Sequence, residues 1–125
     1  MKLVEVQELS GPALDWAVAK CEGKNGVLHD DGITRCIVIA APSGVYKGRY
    51  TPTVNWAQGG PIIEGEGIST MFHDHDHWTA ANLKGTVSAE GPTPLIAAMR
   101  CYCCATLGDE VDIPQELQPC QQPNL

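Results

Sequence analysis

The stretch "GPTPLIAAMRCYCCATLGDE", residues 91–110, decides the fold class because it carries the strongest helix pattern in the chain. Thr93 is a residue that caps helices, Pro94 suits the first helical position, and Gly108 suits the position after the last turn. Between them, apolar side chains recur at helical spacing and form one wide stripe. The segment therefore predicts a long helix whose apolar face is buried against other elements.

Shorter patterns predict the remaining elements. "KLVEV" (2–6) and "ITRCIVIAAP" (33–42) have the composition of strands. Residues 68–75 and 77–83 indicate two further short strands, or one strand with a bend. "LSGPALDWAVAKCEG" (9–23) predicts a helix that Ser10 caps. The fold class that follows is α+β, with a small, mostly antiparallel sheet and two helices packed on it.

The segment between residues 43 and 67 has a different character. It is dense in glycine and proline but also holds large aromatic side chains. We interpret it as a long ordered loop, which in a compact domain is usually functional. The chain as a whole, residues 1–125, is expected to form one domain, with about 110–125 as a surface-lying or frayed C-terminal tail.

Charge and cysteine spacing exclude several classes of protein. The formal net charge is −7, which repels a phosphate backbone, so a nucleic-acid polymer is not an expected partner. No apolar run is long enough to span a bilayer, and the start of the chain lacks the apolar core of a signal peptide, so we expect a cytoplasmic protein without a membrane partner. The six cysteines show no repeated C-x-x-C spacing and are expected to be buried thiols.

Two segments supply the candidate ligand-binding residues. "YTPTVNWAQGGPIIE" (50–64) offers aromatic faces for stacking, amides for reading polar edges, and glycines that let backbone N–H groups approach a ligand. The helix start at residue 91 offers the free N–H groups and the dipole that favour an anion. The expected ligand-binding residues from these segments are Tyr50, Asn55, Trp56, Gln58, Gly59, Gly60, Gly91, Thr93 and Arg100. Trp78, outside both segments, is expected to add a further stacking face.

The stretch "MFHDHDHWTA" (71–80) suggests metal binding but has a simpler interpretation. On one continuous strand, His73, His75 and His77 share a face, yet His73 and His77 are too far apart to bind one ion. We favour a polar edge strand over adventitious or functional metal binding, and expect neither metal nor cofactor. Motifs for nucleophilic or zinc-dependent hydrolysis are lacking, which favours a binding protein over an enzyme.

Three blocks, residues 9–23, 50–64 and 91–114, resemble the NinX-like family of small proteins encoded by lambdoid phages and prophages. The resemblance implies a phage accessory protein in the cytoplasm of an infected bacterium. Family members often carry an acidic residue before the tryptophan of the middle block, where this chain has Asn55. Proteins of this build are similar in style to phage sponges that sequester cyclic dinucleotides or cyclic ADP-ribose variants.

Residues and resemblance together give the expected function. The protein is expected to be a homo-oligomer that sequesters a small nucleotide-like ligand without cleaving it. The alternative is a protein-interaction factor that blocks or redirects a host protein through its acidic surface. A small metal-dependent enzyme that uses the histidine stretch is a third hypothesis.

Overall fold

The computed structural model describes residues 2–41, 43 and 46–117 of the chain. These residues form three helices and eight strands, with single 3-10 turns after the first strand and after the last. The helices are α1 (Gly11–Cys21), α2 (Trp56–Glu66) and α3 (Pro94–Leu107). The strands are β1 (Lys2–Glu5), β2 (Gly26–Asp30), β3 (Arg35–Ala40), β4 (Tyr46–Arg49), β5 (Ser69–Asp74), β6 (His77–Ala81), β7 (Ser88–Gly91) and β8 (Glu110–Ile113).

The strands form three small antiparallel sheets. One pairs β1 with β8, one has the order β2-β3-β4, and one has the order β5-β6-β7. The α+β class and the antiparallel pairing are confirmed, but the expectation of one sheet carrying two helices is wrong. The strands are only four to six residues long. The sheet that contains β2 and β3 packs on α1, whereas the sheet of β5, β6 and β7 packs on α3.

Helix α3 lies at the centre of the molecule, as its apolar stripe predicts. Ala97, Met99 and Cys103 have no exposed surface, and the helix contacts α1, α2 and the sheet that contains β6 and β7. The Thr93 hydroxyl accepts the Ile96 N–H at 3.1 Å, which confirms the predicted cap. The buried stripe contributes the main apolar core against which all other elements are arranged.

Helix α1 begins where the sequence predicts, but the Ser10 side chain does not cap it. The Ser10 side chain makes no capping hydrogen bond, so that part of the prediction is wrong. Pro12 lies in the first turn and its fixed φ favours the helical start. Leu14, Ala17 and Val18 are fully buried and form the apolar face of this helix.

The predicted long loop is wrong, because residues 46–49 form β4 and residues 56–66 form α2. Asn55 caps α2 by accepting the Ala57 N–H at 2.9 Å, and Gly67 ends the helix with φ of 64°. Glycine has low helix propensity, but Gly59 lets α2 approach the backbone of Pro52 closely. Tertiary packing therefore stabilises a helix whose local sequence disfavours it.

The expected surface tail is also wrong for residues 110–117. Strand β8 pairs with β1 along its full length, and Val111, Ile113 and Leu117 are buried. Buried and exposed residues alternate along β8. Two of its four side chains therefore pack on the core, and the other two face solvent. Residues 118–125, which include Cys120, lie outside the described part of the chain.

Candidate functional site

Of the aromatic side chains predicted to bind a ligand, that of Trp56 is the most exposed to solvent. It is the first residue of α2, and 56% of its surface is exposed. The neighbouring Val54 is 71% exposed. The indole is therefore exposed to solvent at the start of a capped helix. Had it been buried in the core, it could not contact a partner.

The polar side chains around Trp56 are already used inside the protein. The Gln58 amide accepts the Thr51 N–H at 2.7 Å and donates to the Arg49 carbonyl at 2.8 Å. Asn55 is the cap of α2. Tyr50 is buried, with 7% of its surface exposed, so it packs in the core and presents little face for stacking. These three residues shape the segment around α2.

Two of the predicted glycines serve packing. A methyl group on Gly59 would lie 2.5 Å from the Pro52 carbonyl oxygen, and one on Gly91 would lie 2.8 Å from the Ala97 nitrogen. Both contacts are closer than real Cβ atoms tolerate, so these glycines permit close approach between elements. Gly60 has no atom within 4 Å of the corresponding position and is open. Of the three, Gly60 alone has no such packing contact.

The residues of the predicted anion site at the start of α3 also make hydrogen bonds within the protein. The Thr93 hydroxyl is occupied as the cap. Arg100 donates from Nε to the Leu9 carbonyl and from Nη1 to the Glu90 carbonyl, both at 2.8 Å. The guanidinium therefore ties the segment before α1 and strand β7 to α3.

Trp78 lies on β6 directly opposite Phe72 on β5. The two rings meet edge to face, with centroids 5.2 Å apart. Trp78 is half-buried and packs against the core, whereas Phe72 is 55% exposed. This pair stabilises the β5–β6 hairpin and is distant in sequence from the Trp56 segment.

The structure divides the predicted residues between two clefts. A cleft of about 280 Å³ includes Tyr50 and Gln58, and the carboxylates of Glu22 and Glu66 also line it. A second cleft, of about 380 Å³, includes Gly91 and Arg100. Its other lining residues are Gln7, Asp76, His77, Glu90 and Pro92. Trp56 and Thr93 line neither of these two clefts.

The histidine stretch folds as a tight hairpin, and this corrects one expectation. His73 and His77 are stacked with ring centroids 4.6 Å apart, because the chain turns back at residues 75–76. Their Nε2 atoms lie 3.0 Å from the Thr79 hydroxyl and 2.7 Å from a Glu90 carboxylate oxygen, respectively. Strand β5 is an edge strand with every residue exposed, as predicted. In the described ranges, no three His, Cys, Asp or Glu side chains are grouped to hold a metal ion.

Sequence reasoning missed a buried carboxyl group. Asp15 on α1 is 3% exposed, and its Oδ1 accepts the Thr53 N–H at 3.0 Å. Burial raises the pKa of Asp15 to about 6, although hydrogen bonds from Thr53 act in the opposite direction. The position of Asp15 between apolar residues of a helix was only a weak sign of this burial. Its hydrogen-bond partner, Thr53, lies far away in the sequence.

Asp15→Asn is expected to change how stability depends on pH. A carboxyl whose pKa is raised in the folded state binds its proton more tightly there, so stability falls as pH rises through that pKa. Between pH 4.5 and 7.5 this group should lower the free energy of unfolding by about 2 kcal/mol. Asparagine can still accept the Thr53 N–H but does not ionise. Urea unfolding at both pH values should show the variant gaining stability relative to wild type at pH 7.5, and parallel pH curves would contradict the buried charge.

The family model described as Bacteriophage P22, NinX matches residues 5–105 of the chain. This protein belongs to the NinX family. The matched region contains α1, α2 and most of α3, and hence the capped start of α2 with Trp56. No curated protein matches the chain.

In this NinX-family protein, Asn55 has a structural role as the cap of α2. An acidic residue at this position would, like asparagine, be a good helix cap. A cap therefore accounts for Asn55 without a role for charge. Among the described residues of this NinX-family protein, no helix is long and apolar enough to cross a membrane.

Proposed function

We propose that this NinX-family protein is a non-enzymatic phage accessory protein that captures a host protein in the cytoplasm of the infected bacterium. The observation that carries the proposal is Trp56, a large apolar side chain held in solvent on a capped helix. Tryptophan is enriched among residues that dominate binding energy in protein interfaces. With the exposed Val54 beside it, Trp56 supplies an anchor for an apolar pocket on the partner.

Charge indicates the chemistry of that partner. The formal net charge of −7 favours association with a basic protein surface, mainly through faster encounter. The host surface would present lysine and arginine side chains around an apolar pocket that accepts the Trp56 indole. Such a complex weakens as salt concentration rises, because exposed charges are screened.

The candidate polar residues already make hydrogen bonds within the protein, and this favours a protein partner over a small ligand. The side chains of Gln58, Thr93 and Arg100 already make hydrogen bonds to backbone groups of this chain. A small polar ligand would have to break those bonds before it could use the same donors and acceptors. A partner that buries the exposed indole needs no such rearrangement.

Sequestration of a nucleotide-like ligand is the second candidate, and one feature of the structure favours it. At Gly59 the N-terminal half of α2 packs against Leu95 in the first turn of α3. Two helix starts therefore lie on neighbouring elements, and the positive end of each helix dipole favours phosphate. Trp56 would stack on a base, as in a sponge for cyclic dinucleotides or cyclic ADP-ribose variants.

The test is capture from host lysate with wild type and two matched variants. Trp56→Ala removes the proposed anchor, whereas Leu83→Ala removes another exposed side chain, 80% exposed and lying after β6. Wild type and Leu83→Ala should recover the same stoichiometric partner in low salt. Trp56→Ala should weaken the complex by at least about 30-fold, the loss expected for an interface hot spot.

Equal recovery by Trp56→Ala would overturn the proposed interface. A silent capture experiment combined with Trp56-dependent binding of a cyclic nucleotide in calorimetry would select the second candidate instead. Silence in both experiments would refute both binding proposals. Circular dichroism of each variant verifies that the fold is intact.

The proposal includes homo-oligomer formation. Strand β5 is an edge of its sheet, and Met71 and Phe72 on it are more than half exposed. An exposed edge with free N–H and C=O groups can pair with the same strand of a second copy. Light scattering on the purified protein measures the oligomeric state, and a monomer at high concentration would contradict this part.

A further inference from the structure

Two cysteines far apart in the sequence meet between α1 and α3. Cys21 is the last residue of α1, and Cys103 lies in the middle of α3. Their Sγ atoms are 3.8 Å apart, although the residues are separated by 82 positions. Both are free thiols. A disulfide has an S–S length of about 2.05 Å, so side-chain rotation and a small helix shift would close the remaining distance.

The environments of the two thiols differ in a way that assigns them different roles. Cys21 is half-buried at a helix end, whereas Cys103 is fully buried. The hydrogen bond between the two thiols lowers the pKa of Cys21; Thr106 and Lys20 act in the same direction, and burial and Glu22 oppose them. The same hydrogen bond, together with burial, raises the pKa of Cys103. Cys21 is therefore suited to attack an oxidant and Cys103 to resolve the product.

We propose that Cys21 and Cys103 form an oxidative modification site, at which a hydroperoxide converts the two thiols into an intramolecular disulfide. The Cys21 sulfur attacks a peroxide oxygen, the O–O bond breaks, and the departing oxygen takes a proton. Cys21 is then a sulfenic acid. The Cys103 sulfur attacks the Cys21 sulfur, the S–S bond forms, the S–O bond breaks, and the Cys103 proton leaves with the hydroxyl group as water. With hydrogen peroxide, two thiols supply two electrons and two water molecules are formed.

The other described cysteines do not offer a comparable pair. Cys101 lies 3.6 Å from the Val87 carbonyl oxygen, and Cys104 lies 3.5 Å from the Gln7 amide nitrogen. Cys36 is buried on β3, outside helices α1 and α3. Burial raises the pKa values of Cys101 and Cys104, which makes both less reactive. Among described residues, the geometry selects Cys21 and Cys103.

Closing this bond changes the properties of the protein. The disulfide would join α1 to α3 and close a long loop of the chain, which restricts the unfolded ensemble. The oxidised protein should therefore unfold at a higher temperature than the reduced protein, and a dithiol reductant should reverse the change. The site couples the stability of the central helix pair to the peroxide level around the protein.

The experiment treats the intact, fully reduced protein with hydrogen peroxide. Thiol titration under denaturing conditions should fall from the six cysteines of the sequence to four. The monomer mass should decrease by two hydrogen atoms, and peptide mapping should join Cys21 to Cys103. The melting temperature should rise and then return after reduction.

Variants identify the pair independently of mapping. Cys21→Ser and Cys103→Ser should each lose the mass change and the melting shift, whereas Cys36→Ser should keep both. Mapping on the wild-type chain needs no variant, so a variant that fails to fold does not remove the test. A disulfide mapped to other cysteines, including Cys120, or stable over-oxidation of Cys21 with Cys103 still a free thiol, would overturn the proposal.

Discussion

Gly59→Ala is expected to lower the free energy of unfolding by about 3 kcal/mol, a large effect for the addition of one methyl group. The new Cβ would lie 2.5 Å from the Pro52 carbonyl oxygen and 2.6 Å from Leu95 Cδ2. The leucine can rotate, but the backbone oxygen cannot yield without moving the segment before α2. A shift of roughly 10 °C in melting temperature corresponds to this loss for a domain of this size.

Gly65, on the same helix, provides the matched control. Gly65→Ala places its methyl group in open space, and alanine has a higher helix propensity than glycine. That variant should gain up to about 1 kcal/mol in free energy of unfolding. Thermal and urea unfolding of both variants should move in opposite directions. Similar changes in both would mean that the close contact of α2 does not determine stability.

Arg100→Met should produce the second large loss, about 2–4 kcal/mol in free energy of unfolding. Methionine keeps much of the aliphatic volume but removes both hydrogen bonds to the Leu9 and Glu90 carbonyls. Those bonds come from a charged donor, and the carbonyls would be left without this partner. Urea unfolding at neutral pH measures the difference.

Arg49→Met is the control, because Arg49 is exposed and its replacement should change stability by less than about 0.5 kcal/mol. Arg100→Lys should recover only part of the loss, since an ammonium group cannot copy the planar fork of donors. If Arg100→Met were as stable as wild type, the guanidinium would be free to hold an anion. That outcome would favour the nucleotide candidate over the protein partner.

Elements with complete local signals were predictable from the sequence. Helix α3 has its cap at Thr93 and its end at Gly108, and both are local devices that a single segment displays. Helix α2 was missed because its decisive contacts, from Gly59 to Pro52 and Leu95, depend on the tertiary fold. Strand β8 was missed because four residues give too short an alternation, and its partner lies at the other end of the chain.

The candidate site was harder to predict, because a polar side chain does not show from sequence whether its hydrogen bonds are already used. The partners of Arg100 lie 91 and 10 positions away, so its structural role appears only in the folded chain. The proximity of His73 and His77 likewise depends on where the hairpin turns. The exposure of Trp56 was compatible with the sequence, but so was its burial in the core.

The pairing of β1 with β8 has a consequence for synthesis on the ribosome. Residues 2–5 emerge long before their partners, residues 110–113. Nascent β1 must wait with its backbone groups unpaired until β8 has been translated. Cotranslational folding can build the hairpins early, but this sheet closes only after β8 has left the ribosome, and a ribosome stalled before Ile113 would hold a chain without it.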